Sequence, residues 1–154
     1  MTLLDSLDVV SITLAALVMG VFWGPWLALT RSIDTLTPDV FLVVVHRLDK
    51  NLGGIMGILF PLTLLSIIPV LVLSVHRPVS FILTAFAFVL FVLALIITAT
   101  VEVPIVKQIR GWTDASMPSN WRQLRDRWVS FHLLRVIPGI AGVAILVGGA
   151  LWQH

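Results

Sequence analysis

Residues Pro78–Val101 read PVSFILTAFAFVLFVLALIITATV, a run that contains no charged side chain. An α-helix rises 1.5 Å per residue, so a helix of this length covers the ~30 Å hydrocarbon core of a bilayer. The stretch is also too long and too apolar for the buried helix of an ordinary soluble domain. It therefore predicts a helix that spans a membrane.

The same pattern occurs three more times along the chain. It predicts four spans, at about residues 8–30, 51–75, 78–101 and 133–153. Of the 154 residues, 58% are hydrophobic and only 12% are charged, more apolar surface than a soluble domain of this size needs. We therefore expect an all-α fold in which residues 1–154 form a single integral membrane four-helix bundle.

Basic side chains are concentrated at one end of this predicted bundle. Threading the chain through four crossings places nine of the ten Lys and Arg residues on one side and only Arg77 on the other. The positive-inside rule then predicts an inner (plasma) membrane protein with its basic side in the cytoplasm and both termini outside it. The second, third and fourth helices are longer than a bilayer requires, so we expect them to extend beyond it on the cytoplasmic side.

Several kinds of chemistry and partner are excluded or left open by composition. The chain contains no Cys and no Tyr, which excludes disulfides, thiolate metal sites and a cysteine nucleophile. The net charge of +2 is small and indicates no nucleic-acid surface. The expected partners are the lipid bilayer and a hydrophobic small molecule. Gly20 and Gly24 would let another helix approach closely, so a homo-oligomer is left open.

Ionisable side chains from three predicted helices lie at about the same depth, near the cytoplasmic end. They are His46 and Asp49 from the second helix, Glu102 from the third, and His132 and Arg135 from the fourth. Ionisable groups at membrane depth are costly and are usually paired or functional. These five are therefore the candidate catalytic residues.

Glu102 is the only acid of the third helix. Its helical neighbours are uncharged, whereas Lys107 and Arg110 are expected to project elsewhere around the helix. Glu102 should therefore face the packed side of the bundle, where a carboxylate needs a partner. Arg125 and Arg135 are the candidate partners.

One face of the fourth helix carries only Trp, Arg and His. Trp121, Arg125, Trp128, His132 and Arg135 are spaced so that, at 100° per residue, they fall within about 80° of one another. We predict that Trp121, Arg125 and Trp128 bind the substrate at a polar, Trp-lined mouth.

The residues alone allow three chemistries. His46, Glu102 and His132 provide two imidazoles and a carboxylate, a ligand set for non-haem iron, with copper as a further candidate. His46 and His132 on facing helices could instead hold a b-type haem. Without any cofactor, Glu102 or His46 could act as a general base while Arg125 or Arg135 stabilises an oxyanion. A structural or partner-docking role without catalysis also remains open.

The stretch Val101–Arg135, VEVPIVKQIRGWTDASMPSNWRQLRDRWVSFHLLR, resembles the signature of the DUF1772 membrane family. The matching elements are V-x-V-P at the end of the third helix, a loop Trp, and W-x-x-L-R-x-R-W-x-x-x-H-x-x-R. The run Gly20–Pro25 and His46 are also similar. Characterised fungal relatives include anthrone oxygenases, which convert an anthrone to an anthraquinone with molecular oxygen. The resemblance implies a four-helix membrane protein and an anthrone oxygenase-like monooxygenase acting on a hydrophobic aromatic substrate.

Overall fold

The computed structural model describes residues 2–153, which fold into four long helical rods. The α-helices are α1 (Leu3–Ala28), α2 (Pro38–Leu73), α3 (Pro78–Ile97), α4 (Val103–Arg110) and α5 (Trp121–Leu151). A π-helical segment, Thr98–Glu102, joins α3 to α4 in one rod, and a 3₁₀ helix, Thr30–Thr35, follows α1. All four rods are long and apolar enough to cross a membrane. The prediction of an all-α, four-helix membrane bundle is confirmed.

Helix α1 begins earlier than the apolar run predicts, because its first turn is capped by polar side chains. The Thr2 hydroxyl accepts a hydrogen bond from the Asp5 backbone N–H at 3.2 Å, and the Asp5 carboxylate accepts one from the Thr2 N–H at 2.6 Å. This reciprocal capping box satisfies two backbone donors that a helix start otherwise leaves unpaired. Hydrophobicity locates the span, whereas the cap determines where the helix begins.

The rods pack around two apolar clusters. Helix α3 packs along α5, α1 lies against both α2 and α5, and α2 meets α3 less extensively than it meets α1. One cluster includes Phe22, Phe60 and Phe91. The other includes Phe41 and Trp128. It lies at the end of the bundle where Asp49 and Arg110 form an ion pair, and we call this end of the bundle the charged end.

Glycines in α5 allow this close packing. A Cβ atom on Gly142 would lie 2.9 Å from the Phe91 ring, and one on Gly149 would lie 2.8 Å from the Thr84 hydroxyl. By contrast, a Cβ on Gly20 or Gly24 would meet nothing within 4 Å. The pair noted in the sequence therefore mediates no packing within the described chain, and self-association through it remains a prediction.

The π-helical segment has a local cause. Pro104 has no N–H to donate to the carbonyl of Thr100, and its ring crowds that carbonyl. The Val103 N–H instead bonds to the carbonyl of Thr98, five residues back. Glu102 is the last residue of this widened turn and is buried. Such turns occur frequently at functional sites.

Candidate functional site

A cavity of about 320 Å³ lies between the two apolar clusters and is bounded by α1, α2, the α3–α4 rod and α5. Its volume is within the range of small-molecule sites. Most of the lining is apolar, with Phe22, Phe60 and Trp128 as its aromatic walls. The polar side chains that line it are Asp49, Thr98, Glu102, Lys107, Arg110, His132 and Arg135.

Glu102, His132 and Arg135 form one connected cluster on the cavity wall, here called the buried triad. Glu102 and His132 are 2% and 3% exposed. The Arg135 Nη2 atom lies 3.2 Å from Glu102 Oε2 and 2.8 Å from His132 Nδ1. His132 Nδ1 lies 3.6 Å from Glu102 Oε2. The structure thus brings together three of the five predicted catalytic residues, from the α3–α4 rod and α5.

The hydrogen bonds assign the tautomer of His132. Its Nε2 lies 3.0 Å from the carbonyl oxygen of Phe22, and because a carbonyl can only accept, Nε2 carries the proton. Arginine can only donate, so Nδ1 is the unprotonated acceptor of the Arg135 N–H. His132 is therefore neutral, with both ring nitrogens engaged.

Arg135 is held by groups from three rods. Besides Glu102 and His132, its Nη1 donates to the Thr98 hydroxyl at 3.2 Å. Its guanidinium carbon lies 4.4 Å from the centroid of the Phe22 ring, a cation–π contact. These contacts fix the guanidinium beside the carboxylate of Glu102.

The carboxylate of Glu102 can accept further hydrogen bonds. Within the described residues, neither of its carboxylate oxygens has a hydrogen-bond partner of standard geometry. The ion pair with Arg135 balances its charge but leaves lone pairs free. A buried carboxylate of this kind on a cavity wall can accept a proton from a bound molecule.

Asp49 and His46 connect α2 to α4 at the charged end. Both carboxylate oxygens of Asp49 accept hydrogen bonds from Arg110, from Nε at 2.8 Å and from Nη2 at 2.9 Å. His46 Nε2 donates to the carbonyl of Ile109 at 3.0 Å. Asp49 lines the cavity, but His46 does not. The geometry gives both residues a part in holding these helices together.

Of the three residues predicted to bind substrate, only Trp128 lines the cavity. Its ring centroid lies 5.9 Å from that of His132. The Trp121 ring packs instead against Phe41, 5.4 Å between centroids, within the second apolar cluster. Trp121 precedes His132 by eleven residues, about 16 Å along the helix axis. It shares the predicted face but lies beyond the cavity.

Arg125 also lies outside the cavity. Its guanidinium pairs with Asp126 at 2.7 Å and sits 5.4 Å from the centroid of the Trp121 ring. The predicted partnership of Arg125 with Glu102 is therefore not formed, and Arg135 takes that place.

The chain was also compared with known proteins. A family model described as Anthrone oxygenase matches residues 42–145, more than half of the chain. The chain belongs to the anthrone oxygenase family. No curated protein and no solved structure matches it. The matched range of this anthrone oxygenase family protein includes the buried triad and the Asp49–Arg110 pair, but not Phe22.

The anthrone oxygenase family protein does not assemble the metal set His46, Glu102 and His132. Within residues 2–153, no group of three or more His, Cys, Asp or Glu side chains has a geometry that could hold a metal ion. His46 is outside the cavity, and both nitrogens of His132 are hydrogen-bonded. A haem held by His46 and His132 is disfavoured for the same reason. Either nitrogen of His132 would have to give up its hydrogen bond, to Phe22 or to Arg135, before it could bind the iron. These donor atoms do not fit either cofactor.

Sequence reasoning missed two charged cavity residues of this anthrone oxygenase family protein. Lys107 and Arg110 were expected to project away from the side of Glu102, but both line the cavity. Their long side chains extend around the helix to its edge, as basic side chains near helix ends commonly do. The Asp49–Arg110 contact depends on how α2 and α4 are rotated against each other, for which the sequence holds no local signal.

Proposed function

We propose that this protein is an oxygenase-like enzyme that oxidises a hydrophobic, anthrone-type aromatic substrate in the cavity. The observation that carries the proposal is Glu102, a buried carboxylate with unused acceptor capacity on the wall of an apolar cavity. Family membership indicates the substrate class. We further propose, from the distribution of basic residues, that the charged end faces the cytoplasm from the inner membrane, with both termini outside.

The first step of the proposed reaction is a proton transfer. The ring methylene of an anthrone loses a proton to the Glu102 carboxylate, which leaves an electron-rich aromatic anion. The guanidinium of Arg135 stabilises the negative charge as it moves from the carboxylate to the substrate oxygen. His132 Nδ1 accepts a hydrogen bond from Arg135 at 2.8 Å and so orients the guanidinium beside Glu102.

The anion then reacts with molecular oxygen. Two electrons pass from the substrate carbon to O₂, and a C–O bond forms to give a hydroperoxide. Loss of the second proton from the same carbon breaks the O–O bond and leaves a ketone. One oxygen atom enters the anthraquinone and the other leaves as water, so the reaction needs no external reductant. Phe22, Phe60 and Trp128 supply aromatic walls against which the rings can pack.

The shape of the cavity supports entry from the bilayer. Five of its lining residues are both exposed and small or apolar: Gly53, Gly57 and Pro61 on α2, and Ala99 and Val103 on the α3–α4 rod. They face each other across the contact between α2 and α3, which is less extensive than that between α1 and α2. We call this opening the lateral mouth. A hydrophobic substrate dissolved in lipid could pass through it without crossing water.

Replacement of Gly57 by Phe should close the lateral mouth. A Cβ at Gly57 meets nothing within 4 Å, so the side chain can begin there without a backbone clash. We expect kcat/KM to fall roughly tenfold, equivalent to about 1.4 kcal/mol. Gly54→Phe is the matched control, because Gly54 is equally open but lies outside the cavity lining. Equal kinetics in the two variants would contradict lateral entry.

The proposal is tested directly by anthrone oxidation with purified protein in neutral detergent. Because anthrones also oxidise spontaneously, the reference is the same micelles without protein. We expect faster formation of anthraquinone, with one O₂ consumed per product. No acceleration above the reference would overturn the proposal. A Soret band or a stoichiometric metal that is lost in His132→Ala would favour the haem or metal alternative instead.

A further inference from the structure

The charges around the cavity do not balance. Five charged side chains line it: Asp49, Glu102, Lys107, Arg110 and Arg135. Arg110 binds both carboxylate oxygens of Asp49, and Arg135 pairs with Glu102. Each acid therefore has its own arginine, and one cation is left over. Lys107 is exposed and has neither a hydrogen bond nor an ion pair within residues 2–153.

Lys107 is placed to meet the far end of a bound molecule. It follows Glu102 by five residues on the same rod, about 7.5 Å along the helix axis. The reacting carbon of an anthrone is in its middle ring, and an acidic group on an outer ring is separated from that carbon by a comparable distance. A planar aromatic molecule whose reacting carbon lies at Glu102 could therefore extend along the rod to Lys107 at the charged end of the cavity.

We propose that the substrate of this site carries an acidic group, a carboxylate or an ionised phenol, which the ammonium of Lys107 binds. The proposal rests on the proposed function, since it takes the cavity to be the substrate site. An anionic group would supply the missing charge partner at the edge of a mostly apolar cavity, where Coulomb attraction is less weakened than in bulk water. Lys107 would then determine both the orientation of the ligand and the choice between acidic and neutral ligands.

The test is a binding measurement that does not depend on turnover. The probes are 2-anthracenecarboxylate and its methyl ester, which carry the test group on an outer ring and have no ring methylene to deprotonate. Dissociation constants for the wild type, Lys107→Met, Lys107→Arg and Lys50→Met are measured by fluorescence in neutral micelles. Lys50 is an exposed lysine outside the cavity lining and so serves as the matched control. Comparing the same probe across variants cancels its partition into detergent.

We expect Lys107→Met to weaken binding of the acid roughly tenfold while changing ester binding less than twofold. Lys107→Arg should retain the preference for the acid, and Lys50→Met should match the wild type. An unchanged acid affinity in Lys107→Met, or an equal loss for both probes, would overturn the role of Lys107 even if the ester binds well. Failure of the wild type to bind either probe would count against the cavity as an aromatic site, and hence against the proposed function.

Discussion

Replacement of Glu102 by glutamine is expected to lower the turnover number for an anthrone by about 10²- to 10⁴-fold, the usual contribution of a positioned general base. The amide has nearly the same shape as the carboxylate but cannot accept the proton of the ring methylene. The rate of anthraquinone formation above that of protein-free micelles is the measurement. Substrate binding should change little, because the cavity walls are unaltered.

Asp114→Asn is the control for this experiment. Asp114 lies exposed in the loop between α4 and α5, so the variant makes the same chemical change away from the cavity and should keep wild-type turnover. Thermal unfolding of both variants shows whether a lost rate is only a lost fold. Wild-type turnover in a folded Glu102→Gln protein would remove this residue from the mechanism.

Replacement of Arg135 by methionine is expected to destabilise the fold by about 3–5 kcal/mol, the usual cost of removing one partner from a buried ion pair. Glu102, 2% exposed, would be left as a buried charge without its counterion. His132 and Thr98 would each lose a donor as well. The free energy of unfolding in mixed micelles is the measurement.

The double variant Glu102→Gln/Arg135→Met distinguishes this cause from a simple loss of packing. With both charges removed, most of the lost stability should return, because well-packed neutral side chains commonly replace a buried pair at little cost. Arg110→Met provides the comparison, since the Arg110 side chain is 61% exposed and its loss should matter far less. A double variant no more stable than Arg135→Met alone would show that charge burial is not the reason.

The sequence predicts the bundle well, because membrane spanning depends on the length and apolarity of a run, and both can be read directly. The run Pro78–Val101 contains the whole of α3 and most of the π-helical segment that follows it. The change from α-helical to π-helical hydrogen bonding within this run could not be predicted from length and apolarity. The π turn depends on Pro104, which cannot donate a hydrogen bond to the Thr100 carbonyl, and the hydrophobicity of the run does not report this local change in hydrogen bonding.

The sequence predicts which face of the fourth helix points toward the cavity, but not which part of the length of that helix lines it. Helical periodicity groups His132 and Arg135 with Trp128, and all three line one cavity. It also included Trp121 and Arg125, because periodicity specifies an angle around the axis and not which part of the helix faces an empty space. The position of the cavity depends on where large side chains such as Phe60 and Phe41 fill the bundle, which is a property of the folded protein.

The π turn has a consequence for the tolerance of this site to insertions and deletions. A π turn holds one residue more than an α turn, so the segment Thr98–Glu102 can lose one residue and close into an ordinary α turn. The helices on either side, α3 and α4, would then keep nearly the same orientation to each other. A one-residue deletion within α3 would instead rotate the two sides of the deletion by about 100° against each other. We therefore expect a single deletion to be tolerated better between Thr98 and Val101 than within Pro78–Ile97.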